Sequence, residues 1–378
     1  MAQILCVGKG WFPNELGGLN RYVYELTRHL SLQDQVQLAA VGLSDTPGQN
    51  FLKFINLSTV DRSLVSRLAE TWFNSRQCCT LDLNAVNLHF SLYSLPMLGH
   101  LPQDVPWTFT FHGPWASESL AEGDKALGVR AKQWFERYVY DRCDRFIVLS
   151  QAFGNILHQD YRISRDKIHV IPGGVDTQRF SLTLSREDAR SQLGWPQDRF
   201  ILFSPRRLVN RMGLDRLIDA IATLKTTNPD IWVAIAGKGP LRDTLAAQIS
   251  DLGLADHIKL LGYLPDEQLP MAYQATDLTV IPSQALEGFG LIILESLASG
   301  TPVMTTPIGG MPEILQPFTP ELITHEPSAA AIAEKLSDVL TGQISMPSRE
   351  ECYDYAFDHF NWPKIAAQVR RTLLTASR

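Results

Sequence analysis

The sequence predicts an α/β protein made of two doubly wound domains. Three observations carry that expectation: short apolar or β-branched runs recur along the chain, a Gly- or Pro-bearing turn closes each run, and a stretch with helical periodicity follows each turn. Strands that are apolar throughout, alternating with helices, imply parallel sheets covered on both faces. With 378 residues the chain has room for two domains. A chain of that size buries roughly three quarters of its unfolded surface and needs no staple to hold a core.

In order, the first strand is expected at Ile4–Val7, then a loop from Gly8 to Gly18 and a helix over Asn20–Leu30. Further strands are expected at Val36–Val41, Val86–Phe90, Trp107–Phe111, Arg145–Leu149 and Lys167–Ile171, with helices at Val129–Asp141 and Gln151–Gln159. Periodicity fades into a polar segment over Ser181–Gln197, which reads as a hinge. The alternation restarts with strands at Phe200–Ser204, Ile231–Ala236, His257–Leu261, Leu278–Ile281, Pro302–Thr305 and Leu322–Thr324. Helices are expected between them at Gly213–Lys225, Pro240–Leu252, Gly290–Ser299 and Ala329–Leu340. The expected division is 1–185, 186–355, and a terminal helix over 356–378 that crosses back to the N-terminal domain. Ligands of such folds sit beyond the carboxyl ends of parallel strands, so the cleft between the domains is the expected site.

Composition narrows the function. Hydrophobic residues make up 45% and charged residues 20%, which excludes a disordered chain. A net charge of −6 gives the whole molecule no attraction for nucleic acid, so an anion site must be a local concentration of basic groups. The cysteines Cys6, Cys78, Cys79, Cys143 and Cys352 contain no C-x-x-C pair and fit neither a disulfide framework nor a structural zinc site. No basic n-region opens the chain and no apolar run is long enough to span a bilayer, so a cytoplasmic protein is expected. No D-x-D pair, H-E-x-x-H or His/Cys cluster occurs, and no metal is expected. A Gly-x-Ser-x-Gly elbow is also missing, which argues against an α/β-hydrolase. The loop Gly8-Lys9-Gly10-Trp11-Phe12-Pro13 is no dinucleotide fingerprint.

The most informative segment is Glu287-Gly288-Phe289-Gly290-Leu291, continuing to Glu295. A Gly-rich turn opening an apolar helix aims backbone N–H groups and the helix dipole at a bound phosphate or diphosphate. Glu295, inside that helix, can accept two hydrogen bonds from a vicinal diol such as ribose, and Glu287 can reach sugar hydroxyls; the alternative is a helix cap and a solvated glutamate. Arg206, Arg207 and Arg211, in the loop after a strand, form a basic cluster able to neutralise charge on a departing diphosphate, or else a solvated loop. Gly237-Lys238-Gly239-Pro240 permits close backbone approach but lacks the P-loop spacing. Gly17-Gly18 precedes a helix, and His112 ends a strand at the expected cleft edge. Trp11, Phe12 and Trp115 are either acceptor-pocket walls or packing. The basic, aromatic stretch Val129–Arg145 is either a packed helix with a solvated face or a membrane-surface face.

Together these segments resemble the retaining glycosyltransferases of the GT-B fold, family four. The resemblance runs over nearly the whole chain. It is carried by Gly17-Gly18 with Arg21 and Glu25-Leu26, Phe111-His112-Gly113, Asp144 to Ser150, and Val170 to Asp176. In the second half it is carried by Arg207-Leu208-Val209, Gly237 to Pro240, Gly262-Tyr263-Leu264-Pro265, and the run from Glu287 through Thr301-Pro302-Val303 to Gly309-Gly310-Met311-Pro312-Glu313. The E-x₇-E spacing of Glu287 and Glu295 is its most specific part.

The resemblance implies a GT-B protein, two Rossmann-like domains facing a central cleft. It implies a retaining, metal-independent transferase with no permanently bound cofactor, taking a nucleotide-diphosphate sugar, with UDP-glucose favoured. Glu295 is then the ribose ligand and Glu287 the ligand of the transferred sugar. Phe289, Gly290 and Leu291 offer backbone contacts, Gly18 approaches the diphosphate, and His112 lies near the reacting carbon. Arg207 matches the family arginine on the leaving diphosphate, with Gly237, Lys238 and Leu264 alongside. Catalytic roles are expected for His112, Arg207, Arg211 and Glu287. Two positions depart from the pattern: Met212 stands where a lysine is common, leaving Arg211 to supply that cation, and Gly173 replaces a frequent asparagine. A nucleotide-sugar epimerase and a non-catalytic nucleotide-sugar sensor are the alternatives on the same fold. The acceptor (a small molecule, a glycan or a lipid-linked sugar) falls to the loops 9–18, 44–60, 89–105 and 113–126, which carry no legible motif. Membrane contact is peripheral at most, and the oligomeric state is not legible.

Overall fold

The computed structural model describes residues 1–15, 17–43, 52–122 and 125–375. Of the expected acceptor loops, Leu16, 44–51 and 123–124 therefore lie outside the described residues, as does the chain end at 376–378. The chain forms two compact units, Met1–Gly174 with Trp362–Arg378, and Val175–Asn361.

The first unit is built on one sheet of seven parallel strands: β1 (Gln3–Val7), β2 (Gln35–Val41), β3 (Lys53–Ser58), β4 (Ala85–Leu88), β5 (Trp107–Phe111), β6 (Arg145–Val148) and β7 (Ile168–Val170). Their order is β3-β2-β1-β4-β5-β6-β7. The central strands are buried on both faces, which is why β5 reads as an unbroken apolar run rather than an alternation. Strand order reverses between β1 and β4, so residues leaving their carboxyl ends border the switch point, and β5 lies next to β4. Helix Trp362–Leu374 completes this unit: Trp362 packs edge-on against Tyr22 at 5.3 Å, Arg370 Nη2 donates to Asp34 Oδ1 at 2.9 Å, and Arg145 Nη1 donates to the Thr372 carbonyl at 3.3 Å.

The second unit holds β8 (Phe200–Pro205), β9 (Ile231–Ala236), β10 (Ile258–Gly262), β11 (Leu278–Ile281) and β12 (Val303–Thr305), all parallel, in the order β10-β9-β8-β11-β12. Its switch point lies between β8 and β11.

Several expectations need correction. The units part at Gly174/Val175 rather than at 185, because 175–185 is tied to the second unit. Val175 N donates to Phe360 O at 2.8 Å, Gln274 Nε2 donates to Ser181 O at 2.8 Å, and Leu184 N donates to Gln274 Oε1 at 2.9 Å. The return begins at Trp362, not 356, since Arg349–Phe360 is a separate helix of the second unit. The polar segment read as a hinge contains helix Arg186–Leu193, capped by Ser185 and closed by Gly194. Only Ala189 and Arg190 of that helix are buried, so no apolar stripe announced it. Residues 53–58, read as part of a loop, form edge strand β3, whose polar Lys53, Asn56 and Ser58 mask the run. Leu322–Thr324 is no sheet strand; Leu322 closes a 3₁₀ turn, and Ile323 makes a single bridge to Thr305.

Candidate functional site

Every candidate of the second unit leaves the carboxyl end of a strand. Arg206, Arg207 and Arg211 follow β8, Gly237 and Lys238 follow β9, and Leu264 follows β10. Glu287 to Leu291 and Glu295 follow β11, and Gly309 follows β12. The two strands that flank the switch point thus carry both glutamates and all three arginines.

Glu287 is held hard. Arg206 donates from Nη2 to Glu287 Oε2 and, at 2.6 Å, to Ser283 Oγ, and Ser283 Oγ donates to the same Oε2 at 3.2 Å. The side chains of Arg206 and Glu287 are only 7% and 14% exposed. Burial pushes the Glu287 carboxyl up, but the charge and hydrogen bond of Arg206, the charge of Arg211 and the Ser283 hydroxyl together hold it below the ordinary glutamate range. Arg211 is itself buried and donates from Nη1 to the carbonyl of Leu286 at 3.1 Å, fixing the turn that presents Glu287. Leu286 adopts a left-handed φ of 51° there. Met212 packs into the apolar core and is a packing residue.

Two glycines let the backbones close around this pair. A Cβ on Gly309 would lie 1.8 Å from the Glu287 carbonyl oxygen, and one on Gly237 would lie 1.9 Å from that of Arg206. Arg207 is exposed beside the buried Arg206. Lys238 is exposed too, its ammonium 4.8 Å from the centre of the Tyr263 ring, while Leu264 is half-buried.

Helix Leu291–Ala298 starts after Gly290 with no side-chain cap and no acidic residue in its first turn, leaving the positive end of the dipole uncompensated by either. Phe289 is buried against Phe360, ring centres 6.1 Å apart, so its backbone rather than its ring is available to a ligand. Glu295 is not solvated: it is 6% exposed and accepts from Tyr273 Oη at 3.1 Å.

In the first unit, Gly18 is exposed and opens helix Gly18–Leu30, which likewise has no side-chain cap and no acid in its first turn. His112, after β5, meets His89, after β4: His89 Nδ1 and His112 Nε2 lie 3.0 Å apart. Burial lowers His112 to about 3, and burial together with His112 lowers His89 well below the ordinary imidazole value, so both rings are neutral near pH 7. The Tyr22 ring packs edge-on against His112 at 4.9 Å. Trp11 and Phe12 are buried against Tyr24, at 5.0 and 5.6 Å, and are packing rather than pocket walls. Helix Ala126–Tyr140 packs through Glu136, which is 1% exposed and bonded to Trp115 N at 2.8 Å and Tyr161 Oη at 2.7 Å; Leu127 and Trp134 lie on its exposed side.

Sequence reasoning missed the parts played by Arg206, Ser283, Tyr273 and His89. Three of these follow a strand's carboxyl end, and that position was the signal. Tyr273 carried none, because a buried tyrosine inside a helix reads as core.

A model of the group 1 glycosyl transferases matches residues 185–359, and a model of glycosyltransferase family 4 matches residues 16–179. The chain belongs to glycosyltransferase family 4. Among curated relatives of this transferase, the D-inositol 3-phosphate glycosyltransferase of Corynebacterium aurimucosum is 28% identical over 94% of this chain and 90% of the relative. The GDP-mannose-dependent α-(1-6)-phosphatidylinositol monomannoside mannosyltransferase of Mycolicibacterium smegmatis is 31% identical over 54% of this chain and 55% of the relative. Among solved structures, Anabaena HepE in complex with UDP-glucose superposes with a TM-score of 0.77 at 19% identity, covering 99% of both chains. The fold of the transferase is GT-B, two parallel-sheet α/β units. Among the described residues, no helix is long and apolar enough to cross a membrane, and no group of three His, Cys, Asp or Glu side chains is placed to hold a metal.

Proposed function

We propose that this family 4 glycosyltransferase moves a hexose from a nucleotide-diphosphate sugar to a hydroxyl acceptor with retention of anomeric configuration and without a metal. The observation that carries the reading is the gathering of Glu287, Glu295, Arg206, Arg207 and Arg211 at the carboxyl ends of β8 and β11, beside a helix start without side-chain cap or acid. An ionised, acceptor-only Glu287 suits a sugar hydroxyl. A buried glutamate in the first turns of the helix suits a ribose diol, and its N–H groups suit the diphosphate. Arg207 and Arg211 would stabilise charge on the leaving diphosphate, and the neutral His112 would donate to or accept from the sugar without adding charge. The leaving phosphate oxygen takes the acceptor proton, as no general base stands out among the candidate residues.

UDP-glucose is our favoured donor, a preference formed on the sequence resemblance. HepE, of the same fold, was solved with it, whereas the mycobacterial relative is named for GDP-mannose. Names of two relatives point to inositol-bearing acceptors, which makes inositol phosphates and inositol lipids the first acceptors to offer. The test is incubation with UDP-glucose and, separately, GDP-mannose against such acceptors, read by product mass and by the anomeric NMR signal. A mass gain of one hexose with α configuration is expected. An inverted anomer contradicts retention, and a donor converted to its epimer with no acceptor added contradicts transfer.

A further inference from the structure

Both hydrogen bonds that the Glu287 carboxylate accepts fall on one oxygen. Oε2 takes Arg206 Nη2 and Ser283 Oγ, while among the described residues no donor reaches Oε1. The side chain retains 14% exposure, so the unengaged oxygen is not sealed off. Arg206 is itself 8% exposed and its guanidinium is committed here, since Nη2 bridges Glu287 and Ser283 while Nε has no partner. Its backbone is clamped as well, with Arg206 N donating to Ala236 O at 2.8 Å and its carbonyl pressed on Gly237.

We propose that Arg206 is a positioning residue for sugar transfer: with Ser283 it occupies one oxygen of Glu287, fixes the carboxylate plane, and leaves Oε1 as the single acceptor offered to the donor sugar. The inference rests on the reading of Glu287 as the ligand of that sugar. It narrows the substrate, because an ionised oxygen beside a saturated partner accepts a hydroxyl and repels a carboxylate or phosphate. The transferred sugar therefore presents a neutral hydroxyl at this point. The charged groups acting on Glu287 are Arg206 and Arg211, both on the loop after β8, and on the side of β11 Ser283 is neutral. Removing Arg206 takes away one of the two cations that act on a buried carboxylate, together with its hydrogen bond, so the carboxylate takes up a proton more readily and stops accepting.

The test is the pH profile of kcat/KM for Arg206→Gln, Arg206→Lys and Ser283→Ala. Loss of a charged hydrogen bond and of the ionised state puts Arg206→Gln on the order of a hundredfold below the parent at neutral pH. Its activity recovers as pH rises, Arg206→Lys restores most of it, and Ser283→Ala shows the same displacement of the acid limb, smaller. A general packing role would lower the rate at every pH and move no limb. If Arg206→Gln does not fold, Ser283→Ala still decides, since the parent's profile in that variant overturns the proposal. Glu287→Gln separates the two layers. If it is inactive while Arg206→Gln keeps the parent's profile, Arg206 is not a positioning residue and the donor-site reading stands. Full activity of Glu287→Gln ends both.

Discussion

The hydroxyl of Tyr273 donates to Oε2 of Glu295 at 3.1 Å, and both side chains are buried, Tyr273 completely. The tyrosine ring is wedged between Phe203 at 5.3 Å and Phe180 at 6.1 Å, so the hydroxyl is held in place by the core of the second unit. A carboxylate fixed this way suits the ribose diol we propose for it. Tyr273→Phe should raise KM for the donor about fivefold to tenfold, the worth of one hydrogen bond to a charged group, with kcat within about twofold. Glu295→Ala should cost more, on the order of a hundredfold in kcat/KM. Steady-state kinetics with the donor varied checks both, and a parent-like KM for Tyr273→Phe speaks against Glu295 as a donor ligand.

The paired histidines give the first unit an acid-sensitive centre. Imidazoles of the unfolded chain titrate near 6.5, whereas burial lowers His112 to about 3 and His89 well below the ordinary value. Below pH 6.5 the unfolded chain binds protons that the fold does not. The stability from this pair is full above that pH and is lost as pH falls toward 3, at about 1.4 kcal/mol per pH unit per imidazole. His89→Gln should flatten that slope. Denaturant titrations near pH 7 and near pH 5 measure it, and an equal slope in parent and variant contradicts a neutral, buried pair.

Gly309 and Gly342 have similar left-handed backbones, φ 60° and 74°, but different surroundings. A Cβ on Gly342 meets nothing within 4 Å, while one on Gly309 meets the Glu287 carbonyl. Gly342→Ala should cost about 1 kcal/mol, the left-handed strain alone. Gly309→Ala should cost more than about 2 kcal/mol and weaken donor binding, because the Glu287 turn has to move. Matched thermal melts with and without donor decide it; equal costs at the two positions remove the packing argument.

Much of this architecture is written locally. The strands Trp107–Phe111, Ile231–Ala236 and Leu278–Ile281 and the helix Ala329–Leu340 coincide with their expected bounds, since apolar runs and end signals set them without help from the rest of the chain. What escaped depends on partners distant in sequence. β3 is a strand because β2 accepts it, and 175–185 belongs to the second unit because Gln274 holds it. The same divide runs through the site. The glutamate spacing and the glycine turns are visible in sequence. That Arg206, rather than its neighbour Arg207, turns inward to Glu287 depends on alternation along the end of β8 and on a serine 77 positions away.

The central claim is that the carboxyl edge of the second unit takes a nucleoside diphosphate through Glu295. It is tested most directly by calorimetric titration of the parent and of Glu295→Ala with UDP, GDP and ADP, each followed by its hexose conjugate. The expected result is saturable binding of one nucleotide and its conjugate to the parent, weakened at least about tenfold in a folded Glu295→Ala protein. Absence of binding for all three nucleotides, or equal affinity in parent and variant, contradicts it.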